Sequence, residues 1–123
     1  MLKESHRLAI VFFITVILLT GFAAFGTSAD QPEQVIKVVA KKFEYSPNEI
    51  TVKMGIPVTL EFTSLDRLHG FNCPGLGIRT DIIPEKVNRV HFVPQKSGTF
   101  EFHCDIFCGS EHEDMTGKII VAE

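Results

Sequence analysis

The strongest constraint on the fold is a series of short apolar runs with a period of two, which fills the chain after residue 34. The clearest run covers residues 57–63, where Val58, Leu60 and Phe62 alternate with polar side chains. Such alternation places the apolar side chains on one face of a half-buried strand. Because no segment after residue 34 shows a helical period, this part of the chain is predicted to contain strands and turns only.

Turn-forming residues separate the apolar runs and define about seven strands. We predict strands at residues 35–42, 50–53, 57–63, 68–73, 87–93, 99–104 and 118–121, with a glycine-containing loop after residue 73. Short strands with frequent turns in a domain of roughly 90 residues are typical of a β-sandwich or barrel. The predicted fold class is therefore all-β.

The beginning of the chain differs from the rest because it is long, apolar and uncharged. Residues 8–26 carry no charge, and Lys3 and Arg7 stand just before them. This layout is typical of a helix that anchors a protein in a membrane, and also of an export signal, since the small residues that follow resemble a signal-peptidase site. Both interpretations stay open. The predicted organisation is a hydrophobic helix serving as anchor or signal peptide at residues 1–29, a polar linker at residues 30–34 and one domain at residues 35–123.

Charge restricts the compartment and the partners of that domain. The basic residues before the apolar run place the domain outside the cytoplasm, on the periplasmic side, either anchored or secreted after cleavage. The net charge of −3 provides no basic surface for nucleic acid, so no nucleic-acid partner is expected. No catalytic triad or substrate pocket is evident in the sequence, so independent catalysis is not expected.

Residues 104–115, CDIFCGSEHEDM, combine two thiols, an imidazole and a thioether within one predicted loop. If Phe102 points into the core, strand alternation directs Cys104 inward as well. The other three side chains, Cys108, His112 and Met115, follow within one loop. Sulfur and imidazole ligands together form a soft-metal set, and the nearby methionine favours copper.

A metal site of this kind also needs an imidazole from another element of the fold. His69 lies at a predicted strand-to-loop transition and fits this role. His91 and His103 face away from the core on their strands, so we interpret them as non-ligands. Cys73 shares strand parity with His69, and is interpreted either as a small buried apolar residue or as a further ligand.

Several interpretations of this cluster stay open on the residues alone. In an oxidising compartment Cys104 and Cys108 could form a disulfide. With His69 and His112 they could instead hold structural zinc. A mononuclear copper site would use His69, Cys104, His112 and Met115 and leave Cys108 unused. Finally, two thiolates four residues apart could bridge two copper ions, with one imidazole on each ion.

The segments HGFNCPGLGIRTDIIP and CDIFCGSEHEDMTGKIIV resemble the CuA domain of cytochrome c oxidase subunit II, whose cupredoxin fold nitrous-oxide reductase also uses. The resemblance implies a Greek-key β-sandwich. It also implies that Cys104 and Cys108 bridge two copper ions and that His69 and His112 bind one ion each. Met115 would be a weak ligand to one ion, and the backbone carbonyl of Ile106 a weak ligand to the other.

The same resemblance implies a function. The domain would relay single electrons to or within a respiratory oxidase, as the subunit through which electrons enter a cytochrome c oxidase-type complex. The expected donor is cytochrome c or another cupredoxin, and the expected acceptor is subunit I of the oxidase. A copper carrier or metallochaperone outside the cytoplasm, or a mononuclear cupredoxin, is the alternative. The chain has no tryptophan, and the nearest substitutes for the aromatic cluster of the family are Phe43, Tyr45 and Phe71.

Overall fold

A computed structural model of the chain describes residues 32–123, which fold into nine β-strands and two single turns of 3₁₀-helix. The strands are β1 (Gln34–Lys41), β2 (Glu44–Ser46), β3 (Glu49–Lys53), β4 (Val58–Ser64), β5 (His69–Cys73), β6 (Ile78–Ile82), β7 (Asn88–Phe92), β8 (Gly98–His103) and β9 (Thr116–Ala122). The two helical turns are Pro74–Leu76 and His112–Asp114. The prediction of an all-β domain is confirmed.

The predicted hydrophobic helix at residues 1–29 lies outside the described residues. Within residues 32–123, no helix is long and apolar enough to cross a membrane. The predicted boundaries between anchor, linker and domain stay a prediction.

The strands form two sheets that pack face to face. One sheet has four strands in the order β2-β1-β4-β7, and the other has five in the order β3-β9-β8-β5-β6. The pairs β1–β4 and β3–β9 are parallel, and the remaining pairs are antiparallel. This arrangement gives the sandwich that the alternating apolar runs predict, because each sheet turns its apolar face towards the other.

Aromatic rings fill the space between the two sheets. Phe62 from the four-stranded sheet packs on Phe71 of the five-stranded sheet, with ring centroids 4.5 Å apart. Phe102 lies 5.1 Å from Phe71 and 5.0 Å from Tyr45, and the Tyr45 contact is edge-to-face. All four residues are buried. This row of rings joins the sheets and forms the centre of the core.

One end of the sandwich collects the loops that matter for function. Strands β4, β6 and β8 all end there, and the loops that follow them are residues 65–68, 83–87 and 104–115. We call these three segments the loop end. Residues 54–57, 74–77 and 93–97 lie at the opposite end of the sandwich.

Two strands, β2 and β6, are not predicted from the sequence. The prediction of a loop after residue 73 is wrong in part, because β6 lies there and pairs with β5 from His69–Ile82 to Cys73–Ile78. Strand β6 is at the edge of its sheet and buries only its two terminal isoleucines. Its order comes from pairing with β5 rather than from its own composition. Strand β2 has three residues and is too short for a recognisable period.

Removal of the Phe102 ring tests the role of the aromatic row. We expect Phe102→Ala to lower the free energy of unfolding by about 3–5 kcal/mol, since the ring is fully buried and leaves a cavity. Urea unfolding of the metal-free chain measures the change. Glu101→Ala, on the same strand but facing solvent, is the control and should change stability by less than about 0.5 kcal/mol. Equal effects of the two substitutions would contradict this core.

Candidate metal centre

Two free thiols face each other inside the loop end. Cys104 directly follows β8, and Cys108 lies four residues further on in the loop. Both side chains are buried. Their sulfur atoms are 3.8 Å apart, whereas a disulfide bond has a length of about 2.05 Å. All three cysteines of residues 32–123 are free. The structure therefore places the two sulfurs side by side without a covalent bond, contrary to the disulfide interpretation.

His69 completes a buried group of three donors. It is the first residue of β5, its side chain is fully buried, and one ligand nitrogen of its ring and both sulfurs lie within 4.8 Å of one another. Its Nε2 contacts Asp66 Oδ1 at 2.6 Å. Its Nδ1 is the one buried side-chain nitrogen or oxygen of residues 32–123 without a hydrogen-bond partner.

An unpaired buried nitrogen is unfavourable unless something accepts its lone pair. With Nε2 donating to the Asp66 carboxylate, Nδ1 carries that lone pair, and a ring nitrogen of His69 lies near both thiols. A carboxylate that orients a histidine in this way is the usual support of a metal ligand. The residues present therefore fit a metal ion at this point.

The remaining predicted ligands surround the two sulfurs. His112 Nδ1 lies 3.5 Å from Cys108 Sγ, and Met115 Sδ lies 3.9 Å from the same sulfur. The carbonyl oxygen of Ile106 is 3.2 Å from Cys104 Sγ. Met115 is fully buried and His112 is half-buried. The structure thus brings all six predicted positions together at one place, with His69, Cys104, Cys108 and Met115 buried and Ile106 and His112 half-buried.

The Cys108 thiol is neutral without a metal. Burial, followed by the nearby Cys104, raises the pKa of Cys108 to about 11. Because metals bind the thiolate, occupation of the site must release protons.

Polar contacts from outside the ligand set hold the loop and His69, and sequence reasoning missed them. Burial opposes ionisation of Asp66, but hydrogen bonds from the Lys42 N–H and from His69 outweigh it and lower the pKa of Asp66 to about 2. Arg67 Nη1 donates to the carbonyl of Cys108 at 2.9 Å. Arg79 binds Asp105 through two nitrogens, at 2.6 and 3.1 Å. The acidic residue three positions before His69 was a usable signal, whereas the arginine contacts depend on the tertiary fold.

Residues set aside or left open by sequence reasoning lie elsewhere. His91 is exposed on β7, and His103 is half-buried beside the loop. Cys73 is buried at the far end of β5, four residues from His69 or about 13 Å along a strand. It is not part of the three-donor group. The interpretation of Cys73 as a further ligand is therefore wrong, and its burial, which raises the pKa of its thiol, fits a small apolar core residue.

The loop approaches β5 closely at Gly70. A methyl group at this position would overlap the Asp105 side chain and come within 3.2 Å of the Asp105 nitrogen and of Ile106 Cγ1. Only a residue without a side chain allows the loop to lie against the strand that carries His69. The backbone at this point therefore sets the distance between the imidazole and the thiols.

Comparison with known proteins agrees with the fold and the site. Residues 10–121 match the family described as the cupredoxin-like domain, and the chain belongs to that family. Within it, the chain is similar to cytochrome c oxidase subunit 2 of Thermus thermophilus, with 33% identity over 91 residues, which is 74% of this chain and 67% of that protein. The matched region covers 54% of a second subunit 2 sequence from the same species.

Solved structures show the same relationship. The periplasmic domain of cytochrome oxidase subunit II from Bradyrhizobium japonicum superposes with a TM-score of 0.68 and 25% identity, covering 73% of this chain and 84% of that one. A chain of a heme-copper terminal oxidase dimer superposes with a TM-score of 0.66 and 26% identity, covering 98% of both chains. The protein is thus a cupredoxin related to subunit II of cytochrome c oxidase.

The close approach at Gly70 gives a test of the site that does not require knowledge of the native metal. We expect Gly70→Ala to weaken binding of Co²⁺ by about 10–100-fold, because the added methyl pushes the loop away from His69. Titration followed by thiolate-to-metal absorption measures the affinity. Gly75→Ala, at the opposite end of β5, meets only the movable Phe100 ring and should bind Co²⁺ like the parent chain. Unchanged affinity in Gly70→Ala would refute the described loop position.

Proposed function

We propose that the domain holds two copper ions in a CuA-like centre and relays single electrons. The observation that carries the proposal is the pair of buried, unbonded sulfurs 3.8 Å apart, with one histidine from β5 and one from the loop beside them. In the proposed centre Cys104 and Cys108 bridge both ions, and His69 and His112 each bind one. Met115 and the Ile106 carbonyl are the weak ligands.

The donor set favours copper over zinc. A structural zinc site needs four strong ligands, and the two thiols and two imidazoles would suffice. This chain adds a fully buried thioether, 3.9 Å from Cys108 Sγ, and a carbonyl oxygen beside Cys104. A thioether is a soft ligand that suits copper. Both cysteines have a role in a bridged pair, whereas a mononuclear site would leave Cys108 unused.

The residues around the centre suit electron transfer. Bound copper supplies a reversible one-electron change. Asp66 orients His69, and Arg67 and Arg79 hold the loop through Cys108 and Asp105. Buried ligands on a braced loop rearrange little when the charge changes, and little rearrangement means a low barrier to electron transfer.

The relationship to oxidase subunits supports a place outside the cytoplasm and a respiratory partner. We propose that the domain lies on the periplasmic side, anchored through residues 8–26 or released after cleavage. The donor would be cytochrome c or another cupredoxin, and the acceptor subunit I of a heme-copper oxidase.

The surface of the loop end supports docking of a protein partner. Five of the eight exposed large apolar side chains of residues 32–123 lie there: Leu65, Leu68, Ile83, Val87 and Phe107. Phe107 is 80% exposed and lies 5.9 Å, ring to ring, from His112. The acidic side chains of Glu111, Glu113 and Asp114 are exposed in the same loop. This surface suits a donor with an apolar centre and a basic rim. Of the suggested substitutes for the family's tryptophan cluster, Tyr45 and Phe71 are buried and cannot dock, whereas Phe43 is half-buried.

Copper loading tests the dinuclear centre. We expect two copper ions per chain and, after partial oxidation, a seven-line hyperfine pattern in the electron paramagnetic resonance spectrum, because one unpaired electron is shared by two equivalent nuclei. Cys108→Ser should bind one copper and give four lines. Four lines from the parent chain would defeat the dinuclear proposal. Retention of both ions through repeated redox cycles separates a relay from a copper carrier, which would release Cu⁺ to an acceptor.

Phe107 tests the docking surface. We expect Phe107→Ser to slow reduction of the copper-loaded chain by reduced cytochrome c roughly tenfold, as for loss of an aromatic residue at the centre of an interface. Stopped-flow kinetics measures the rate, with an unchanged copper spectrum as the check that the site is intact. Val93→Ser, which removes an exposed apolar side chain at the opposite end, should leave the rate unchanged. Equal rates for both variants would place docking elsewhere.

A further inference from the structure

The backbone of Gly70 pairs with β6 but lacks a strand partner on the side of β8. Strands β5 and β8 pair at Asn72 and His103, and β8 ends at His103. Gly70 lies two residues nearer the loop end and is buried. Its N–H and C=O would therefore be unsatisfied on that side, which is unfavourable for buried backbone groups.

Two side chains replace the missing strand. The N–H of Gly70 donates to Cys104 Sγ at 3.3 Å, and its carbonyl accepts a hydrogen bond of 2.6 Å from the hydroxyl of Tyr45. Tyr45 lies on β2, in the opposite sheet, so this bond crosses the core. The Tyr45 hydroxyl of one sheet thus orients Gly70 of the other sheet. Gly70 directly follows His69 and donates to the Cys104 sulfur.

Tyr45 is itself held firmly. Its side chain is 2% exposed, and its ring packs edge-on against Phe102 with centroids 5.0 Å apart. Burial, followed by the nearby thiols of Cys104 and Cys108, raises the pKa of Tyr45. The hydroxyl therefore keeps its proton and remains a donor.

We propose that Tyr45 is a positioning residue for the metal centre: its hydroxyl holds the Gly70 carbonyl, which restrains the backbone dihedral angles of Gly70 so that the Gly70 N–H stays directed at Cys104 Sγ. A hydrogen bond to a ligand sulfur withdraws electron density from it and stabilises the reduced state, so it raises the reduction potential. The effect on potential rests on the proposed copper function. The hydrogen-bond relay from Tyr45 through Gly70 to Cys104 does not.

Tyr45→Phe removes the hydroxyl and keeps the ring. In the metal-free full chain in detergent, we expect hydrogen exchange of the Gly70 amide to become roughly five- to tenfold faster, the loss expected for one ordinary hydrogen bond. In the copper-loaded chain we expect a lower reduction potential and a shifted sulfur-to-copper absorption band. Thr59→Val is the matched control, since it also deletes one buried hydroxyl, which bonds His91 and Glu33 near the opposite end. It should change neither readout.

A second alteration of Tyr45 should change the reduction potential in the opposite direction while keeping the side chain in place. Tyr45 is the one tyrosine of the chain, so global incorporation of 3-fluorotyrosine alters this hydroxyl alone. The more acidic phenol is a stronger donor, and we expect the potential to rise. It also decides the question if Tyr45→Phe does not fold.

The outcomes separate the two proposals. Unchanged Gly70 exchange in Tyr45→Phe overturns the relay, and faster exchange with an unchanged potential in both altered proteins overturns the influence on the metal. If the parent chain binds a single copper, the dinuclear proposal fails, while Gly70 exchange and the potential of that single copper still decide the role of Tyr45.

Discussion

Two sulfur atoms kept buried and close, but unbonded, are the constraint on which the rest of this structure depends. At 3.8 Å they are too far apart for a covalent bond and near enough to bind the same metal ion. Thiols in this position need a backbone that keeps them from closing together and from turning outward. Strand β8 turns Cys104 inward, because Cys104 follows the strand in the same direction as the buried Phe102. The loop then brings the Cys108 sulfur back beside the Cys104 sulfur and holds it there.

The supports of the sulfur pair come from every side of the sandwich. Strand β5 contributes His69 and the side-chain-free surface of Gly70, the loop after β4 contributes Asp66 and Arg67, and β6 contributes Arg79. The four-stranded sheet reaches across with Tyr45. A β-sandwich suits this task because the ends of several strands meet at one end and each carries one contact. Rigidity of the ligands then follows from the fold rather than from the metal alone.

Local patterns in the sequence predict a large part of this arrangement. Alternation in residues 57–63 identifies β4, and strand parity directs Cys104 inward. The strand boundary predicted near His69 agrees with its place as the first residue of β5. Each of these inferences uses only the period of a strand. The proximity of the candidate ligands could be predicted because most of them lie within one loop, where spacing in sequence limits spacing in space.

The features that escaped prediction depend on contacts distant in sequence. Strand β6 is ordered by its neighbour, and Arg79 meets Asp105 across 26 positions of sequence. The bond from Tyr45 to Gly70 spans 25 positions and two sheets. Cys73 shows the limit of parity, since it faces the same side as His69 but lies at the other end of the strand. Strand parity predicts which face of the sheet a side chain is on, whereas its distance from the site can be known only from the three-dimensional fold.

The central claim is that these two sulfurs bridge two copper ions, and X-ray absorption at the copper edge tests it most directly. The fine structure of the fully reduced, copper-loaded chain reports the neighbours of each absorbing atom without reference to its spin state. The account predicts two sulfur neighbours and one imidazole for each copper, together with a short copper–copper distance. A spectrum with one sulfur neighbour per copper and no copper–copper scattering would contradict it.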